Sequence, residues 1–368
     1  MRVPLLDLDA QYTDLLEEIK AEMEKVFNSH QYVLGPQVAE FEKNMEKFCS
    51  VNNAIGCASG TDALVLALKA LEIDKGDEVI TTPFTFFASA SSIIRVGAKP
   101  VFVDINNETL NINPTKIEAA INSRTKAILP VHLFGQPSEM DKIMDIAERY
   151  DLKVIEDNAQ GIGAKYDGKV AGTIGDIGTL SFFPSKNLGA MGDAGMCLTN
   201  NNELASRLKQ LRVHGENPKY YHKWVGLNSR LDTLQAAVLL KKLPHLKKWS
   251  IDRRKNAEYY YSKMNDIPNI QLPIIHEKAY TIYNQFTLLV EKRDELLNFL
   301  KNNNIGCAVY YPRPLHIQKC FSELEYKKGD LPNAEDIAKK VISIPIYSEI
   351  TNEQQNYVIS KIKEFYHV

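Results

Sequence analysis

Between residues 53 and 199 the sequence alternates short apolar runs with stretches carrying apolar residues at helical spacing. The runs Asn53–Ala58, Glu78–Thr81, Pro100–Asp104, Ala127–Val131, Lys153–Glu156, Gly178–Phe183 and Gly195–Thr199 read as strands. Most are apolar along their length rather than at every second position, the pattern of strands covered on both faces. The intervening segments Thr61–Leu71, Phe87–Val96, Ile117–Ile121 and Met140–Tyr150 read as helices. Few architectures accept this order. It predicts an α/β fold with a mostly parallel, seven-stranded sheet between helical layers.

The flanks follow other patterns. An amphipathic helix is expected over residues 12–28, with Leu15, Leu16, Ile19, Met23, Val26 and Phe27 on one face. A turn at Leu34-Gly35-Pro36 precedes a second helix from about Val38 to Phe48. After the last strand come a helix near Glu203–Val213, a loop over His214–Asn228 and a long helical region over Leu231–Tyr261. The remainder reads as a smaller α+β unit. It has strands at Asn284–Val290 and Cys307–Tyr311 and helices at Arg293–Asn302, Ala334–Ser343 and Glu353–Tyr366. We therefore expect an N-terminal arm and large domain over 1–250, and a small C-terminal domain over 251–368.

Composition removes several function classes. The net charge of −2 over 368 residues offers no global basic field for nucleic acid or an anionic membrane. The lysine-rich run Lys241–Lys255 reads as a solvated helical face. The N-terminus has no apolar leader, and no run approaches the roughly 20 apolar residues a membrane helix needs. The five cysteines are scattered without a CxxC pair, which favours a reducing cytoplasm and argues against a zinc site. Each is expected to be a small buried hydrophobe.

Chemistry in α/β proteins collects where strands end. Lys186 follows the strand Gly178–Phe183, and a lysine desolvated there can lose its proton near neutral pH and attack a carbonyl. Taken alone it reads as an ordinary solvated lysine. Ser59-Gly60-Thr61 opens a helix after the first strand, which suits a phosphate but equally a simple N-cap. Asp157 and Gln160 follow the strand Lys153–Glu156; a carboxylate there can keep a pyridine nitrogen protonated, or cap a helix. Phe86, after Thr85, can stack on a flat ring or pack in the core. Ser181 can give its hydroxyl to the same phosphate or act as a cap. There is no Walker A sequence, no GxGxxG after the first strand, no GxSxG and no HExxH.

The same residues lie in ordered motifs that run nearly end to end. They are Leu5-Leu-Asp-Leu, Tyr32-Val-Leu-Gly-Pro36, Ala58-Ser-Gly-Thr-Asp-Ala-Leu64 and Thr82-Pro-Phe-Thr-Phe86. Val154-Ile-Glu-Asp-Asn-Ala-Gln160, Ser181-Phe-Phe-Pro-Ser-Lys-Asn-Leu-Gly189, Gly192-Asp-Ala-Gly195, Gly226-Leu-Asn-Ser-Arg-Leu-Asp232 and Pro314-Leu-His316 follow. In these the chain resembles the DegT/DnrJ/EryC1/StrS sugar aminotransferases, which depend on pyridoxal 5'-phosphate. The resemblance implies the aspartate aminotransferase-like fold, fold type I, acting as a cytoplasmic homodimer. It implies that Lys186 forms the Schiff base and shuttles the proton, Asp157 pairs with the pyridine nitrogen, Gln160 lies near the ring hydroxyl and Phe86 stacks on the ring. Gly60, Thr61 and Ser181 would hold the phosphate, with Asn228 from the other subunit. Arg230, Tyr311 and His316 are assigned to substrate. Relatives that are sugar dehydratases carry histidine where Lys186 stands, which disfavours that activity. Many members have His-Tyr-Pro where this chain has Tyr310-Tyr311-Pro312, so the sugar site is expected to be altered.

The implied reaction moves an amino group from glutamate to a nucleotide-linked keto-sugar, at C3 in the nearest members. The substrates pictured are UDP-2-acetamido-3-keto-glucuronate and a dTDP-3-keto-6-deoxyhexose. A 4-keto substrate, and a regulator that has lost the chemistry, are the alternatives. The product would be an amino sugar of the kind built into lipopolysaccharide.

Overall fold

The computed structural model describes residues 1–368. Seven strands form the central sheet: β1 (Asn53–Cys57), β2 (Glu78–Thr81), β3 (Lys99–Phe102), β4 (Thr125–Leu129), β5 (Lys153–Asp157), β6 (Ile177–Ser181) and β7 (Gly195–Thr199). Their order is β1-β7-β6-β5-β4-β2-β3. Pairs β2–β3, β2–β4, β4–β5 and β5–β6 are parallel, whereas β7 runs antiparallel to both β6 and β1. Reversing twice leaves β1 parallel to β6. Six of the seven strands therefore end on one edge of the sheet.

Helices cover both faces, as the continuous apolar strands require. Gly60–Ala70 is buried along almost its whole length and belongs to the largest core, with Ile55, Val79, Ile155 and Ile177. On the opposite face Phe41, Met45, Leu180, Phe182 and Leu239 form a second core. The segment 117–121 is shorter than a helix stripe suggests, two 3₁₀ turns at Pro114–Lys116 and Glu118–Ala120. The long helical region is two α-helices, Thr233–Lys242 and Leu246–Met264, joined by a 3₁₀ turn.

A second sheet of three strands, β8 (Ile270–Gln271), β9 (Phe286–Val290) and β10 (Val341–Ile344), is antiparallel throughout. Its core includes Tyr260, Phe286, Leu296, Ile342 and Val358. The helix Leu246–Met264 crosses from one core to the other, since Leu246 packs with the large sheet and Ala257, Tyr260 and Met264 with the small one. Val3, at the start of the arm, joins this small core and bridges Ile305.

Two expectations fail in this region. Cys307–Tyr311 is not a strand; only Ala308 bridges Ser343. The expected helix Ala334–Ser343 stops at Lys340, and Val341-Ile-Ser-Ile turns into β10. Two surface expectations fail as well. Cys320 is exposed, although the other four cysteines are buried. Lys242 and Arg253, placed on a solvated face, are buried. No helix is long and apolar enough to cross a membrane.

Candidate active site

The common strand edge gathers the chemistry. β1 leads to Ser59-Gly60, β2 leads to Phe86, β5 ends at Asp157, and β6 ends at Ser181 with Lys186 five residues on. β5 and β6 are neighbours, with Asp157 opposite Thr179.

Lys186 sits on a closed loop. Ala190 N–H donates to the Phe182 carbonyl at 2.7 Å and Lys186 N–H to the Phe183 carbonyl at 2.8 Å. The loop leaves no room at Gly189, where a Cβ would lie 2.3 Å from the Pro184 carbonyl oxygen. Asn187 ties it to the small-domain side through the Ile282 carbonyl (3.3 Å) and the Asn284 amide (2.9 Å). The Lys186 residue is half-buried. Protein atoms around its ammonium displace water and lower its pKa to about 8, against the pull of Asp157. The two groups do not form an ion pair.

Asp157 is 5% exposed. Burial raises its pKa, opposed by the Ser89 hydroxyl, which donates at 2.7 Å, and by the Ala159 N–H at 3.2 Å. The Ser89 and Thr85 hydroxyls lie 3.0 Å apart. One residue earlier on the strand, Glu156 points to the other face. Burial pushes its carboxyl up, yet His132 and backbone N–H groups outweigh burial and hold it below the usual range. His132 Nε2 lies 2.8 Å from it, and the N–H groups of Gly172, Ile174 and Gly175 donate at 2.7–2.8 Å. Ser138 N–H donates to His132 Nδ1, so Nε2 is the nitrogen that faces Glu156 as donor. Adjacent carboxylates thus have opposite environments.

Gln160 is clamped from both ends. Its carbonyl accepts from Phe134 N–H at 2.7 Å, and its amide donates to the Tyr311 hydroxyl at 3.1 Å. Tyr311 packs near Phe84 and Phe86, its ring centroid 6.2 Å from that of Phe86. Phe86 is 57% exposed, a wall of the cleft rather than a core residue. At the β1 end, Ser59 caps the helix by accepting from Asp62 N–H at 3.1 Å, leaving Gly60 and Thr61 at its open N-terminus. A Cβ on Gly60 would lie 2.7 Å from the Ser181 Cβ, so only glycine brings this helix end against Ser181.

The structure therefore brings Lys186, Asp157, Gln160, Phe86 and Tyr311 to one cleft edge and sets Gly60 against Ser181. It does not bring the remaining expected residues to them. Asn228 is exposed and Arg230 half-buried at the end of the 214–228 loop, with no hydrogen bond to those residues in its own chain. His316 is buried, its Nε2 3.1 Å from Glu335 and its ring against Tyr326. Ser89, His132, Glu156, Asn187 and Phe134 N–H were not foreseen. Only Glu156 left a signal, a carboxylate inside an apolar strand.

A strand-edge lysine with lowered pKa, a buried carboxylate and a glycine-tight helix N-terminus suit a phosphorylated pyridine aldehyde. With the seven-stranded sheet they define a pyridoxal phosphate enzyme of fold type I. The chain belongs to the DegT/DnrJ/EryC1/StrS aminotransferase family, whose profile matches residues 13–363. It is 50% identical to a pleiotropic regulatory protein of Geobacillus stearothermophilus, over 100% of this chain and 99% of that one. It is 42% identical to a UDP-N-acetyl-3-dehydro-α-D-glucosamine 3-aminotransferase of Acidithiobacillus ferrooxidans, over 99% and 98%. The crystal structure of S. venezuelae DesV in complex with a ketimine intermediate superimposes with TM-score 0.97, at 40% identity over 100% and 99% of the two chains. The protein is a pyridoxal phosphate-dependent aminotransferase.

Proposed function

We propose that this aminotransferase moves an amino group from glutamate to C3 of a nucleotide-linked 3-keto sugar, with Lys186 as the proton carrier. The observation that carries the reading is the lowered pKa of Lys186 beside buried Asp157, at the edge where the strands end.

Asp157 would hold a protonated pyridine nitrogen, a cation that relieves its unfavourable burial. Ser181 and the N–H groups of Gly60 and Thr61 would hold the phosphate. Phe86 would cover the ring, and Gln160 would sit near its hydroxyl. Pyridoxal phosphate supplies an electron sink that acidifies the bond to hydrogen on the nitrogen-bearing carbon. Lys186 Nζ, its pKa lowered to about 8, would accept the proton from that carbon in one half-reaction and donate it back in the other. One site serving both halves predicts ping-pong kinetics.

Asn228 would complete the site of a second copy. Its loop also carries Tyr220, Tyr221 and Val225, exposed apolar groups of the kind an interface covers. A cavity of only about 60 Å³ lies next to the Lys186 loop, lined by Ser185, Tyr310, Arg253 and Asn284 among others. Arg230 and Tyr311 are candidate sugar contacts. His316 would act at most from behind the wall, given its burial against Glu335.

The C3 position is supported by the 42% identical relative, a 3-aminotransferase of a 3-dehydro sugar nucleotide. Assay of purified protein with glutamate against UDP- and dTDP-linked 3-keto and 4-keto sugars tests it; turnover of a 4-keto sugar alone would sink the C3 assignment. The regulatory name of the 50% identical relative supports a second reading, a regulator without turnover. A yellow cofactor band bleached by glutamate supports the enzyme; a protein that cannot be loaded with pyridoxal phosphate supports the regulator.

A further inference from the structure

Lys242 ends the helix Thr233–Lys242 and is 0% exposed. No carboxylate lies within ion-pair distance. Its ammonium instead donates to the Gly189 carbonyl at 2.7 Å and to the Tyr12 hydroxyl at 3.2 Å. It lies 4.5 Å from the Tyr12 ring centroid and 5.9 Å from that of Trp249. Burial lowers the pKa of this amine to about 8 against the pull of Glu349, and a methionine would fill the same space without that penalty. What the charge gains is one strong donor aimed at a carbonyl of the Lys186 loop.

That carbonyl is three residues past Lys186, at the point where the loop tolerates no Cβ. Asn187 holds the loop toward the small-domain side, and Lys242 holds it toward the helical layer and the N-terminal arm. Between these anchors the backbone of Lys186 has little freedom. Transfer of a proton by Lys186 depends on where Nζ is held, and small displacements carry large penalties in rate.

We propose that Lys242 is a positioning residue for Lys186, fixing the loop 183–189 through the Gly189 carbonyl. The inference rests on Lys186 being the reacting amine. Lys242→Met should remain folded, with a melting temperature no lower than wild type by more than a few degrees. Its kcat should fall roughly 10- to 100-fold with little change in KM for glutamate or the sugar. The rate at which cofactor-free protein captures pyridoxal phosphate at Lys186, trapped with borohydride and located by peptide mass, should fall in parallel. Lys242→Arg, which keeps a donor, should recover most of both.

If Lys242→Met and Lys242→Arg lose activity only in proportion to folded protein, with wild-type capture rate, Lys242 is merely structural and the inference is wrong. The two readings fail differently. Lys186→Ala with retained turnover removes the assignment of Lys186 itself. A dead Lys186→Ala beside a Lys242→Met of wild-type kcat and capture rate removes only the role of Lys242.

Discussion

The cleft has two ends built in different ways. Around Lys186 the groups come from strand ends of one sheet and are fixed before anything binds: Asp157 by Ser89 and Ala159 N–H, Gln160 by Phe134 N–H and Tyr311, the lysine loop by Asn187 and Lys242. Toward the sugar, Arg230 is half-buried next to Ser229, whose hydroxyl accepts from Ala58 N–H, and His316 is shut inside. A sheet edge can preorganise a cofactor because parallel strands deliver their ends to one plane. Selectivity for a sugar is left to loops, which can vary without disturbing that plane. Changes at the first end should therefore remove the chemistry, and changes at the second should alter binding.

The largest effect is expected at Lys186. Lys186→Ala should lower kcat on the order of 10³-fold or more while leaving the melting temperature of the cofactor-free protein within a few degrees. Capture of pyridoxal phosphate by wild type needs the neutral amine. Its rate should climb as pH rises through about 8, well below the pH an exposed lysine would need. A rate still climbing steeply above pH 10 would mean that the loop does not desolvate Lys186.

Asp157 and Glu156 sharpen the contrast within the first end. Asp157→Asn should cost on the order of 10²-fold in kcat, since a fixed charge beside the reacting system is lost. Their stability effects should have opposite sign. Burial raises Asp157, so its contribution is present only below the unfolded value near pH 3.9 and is lost as pH rises through the folded value. Cofactor-free Asp157→Asn should then melt higher than wild type at pH 7. Glu156 is held low, so its contribution is present above about pH 4.3 and lost as acid titrates it. Glu156→Gln should lose about 3 kcal/mol at pH 7, and the gap should begin to narrow only below about pH 4.3. Melts of both variants over this pH range check this; shifts of the same sign would refute it.

Much of the first end was legible because each group follows an apolar strand, and strands with continuous apolar runs announce their ends. What lay out of reach were contacts closed by tertiary structure. Ser89 reaches Asp157 across 68 positions of sequence, and Lys242 reaches Gly189 across 53. Lys242 read as solvent-facing because its neighbours in the run are lysines, and only the fold turns it inward. The small domain misled for a local reason. Ile337, Val341 and Ile344 continue a helical stripe, yet Val341-Ile-Ser-Ile also forms an apolar strand, and pairing with β9 decided the conformation. Tyr311 leaves its expected strand after a single bridge at Ala308, and its hydroxyl meets Gln160.

Asn228 tests whether the phosphate corner of the cofactor site needs a partner. Lys186→Ala and Asn228→Ala homodimers should each be weak. If Asn228 serves the other copy's site, mixing equal amounts and allowing exchange should restore about a quarter of wild-type sites, because half the dimers are mixed and each mixed dimer has one intact site. Mixtures no better than their parents would place Asn228 in its own chain's site, or outside either.

The smallest effect is expected at Phe86, which stands where the two ends meet. Its ring is 57% exposed and tilted 43° to that of Tyr311. A side chain so open contributes little to the core, so Phe86→Leu should not lower the melting temperature of the cofactor-free protein. What leucine lacks is a face to lay on a flat ring. Aromatic stacking is worth roughly 0.5–1.5 kcal/mol beyond area, so cofactor dissociation should rise about 2- to 12-fold. The proton path through Lys186 and Asp157 does not involve Phe86, so kcat at saturating cofactor should stay near wild type. Measuring cofactor affinity by absorbance and kcat at excess pyridoxal phosphate separates these effects. A kcat loss approaching that of Asp157→Asn would mean that Phe86 sets the geometry of the reacting groups, and that the two ends are not independent.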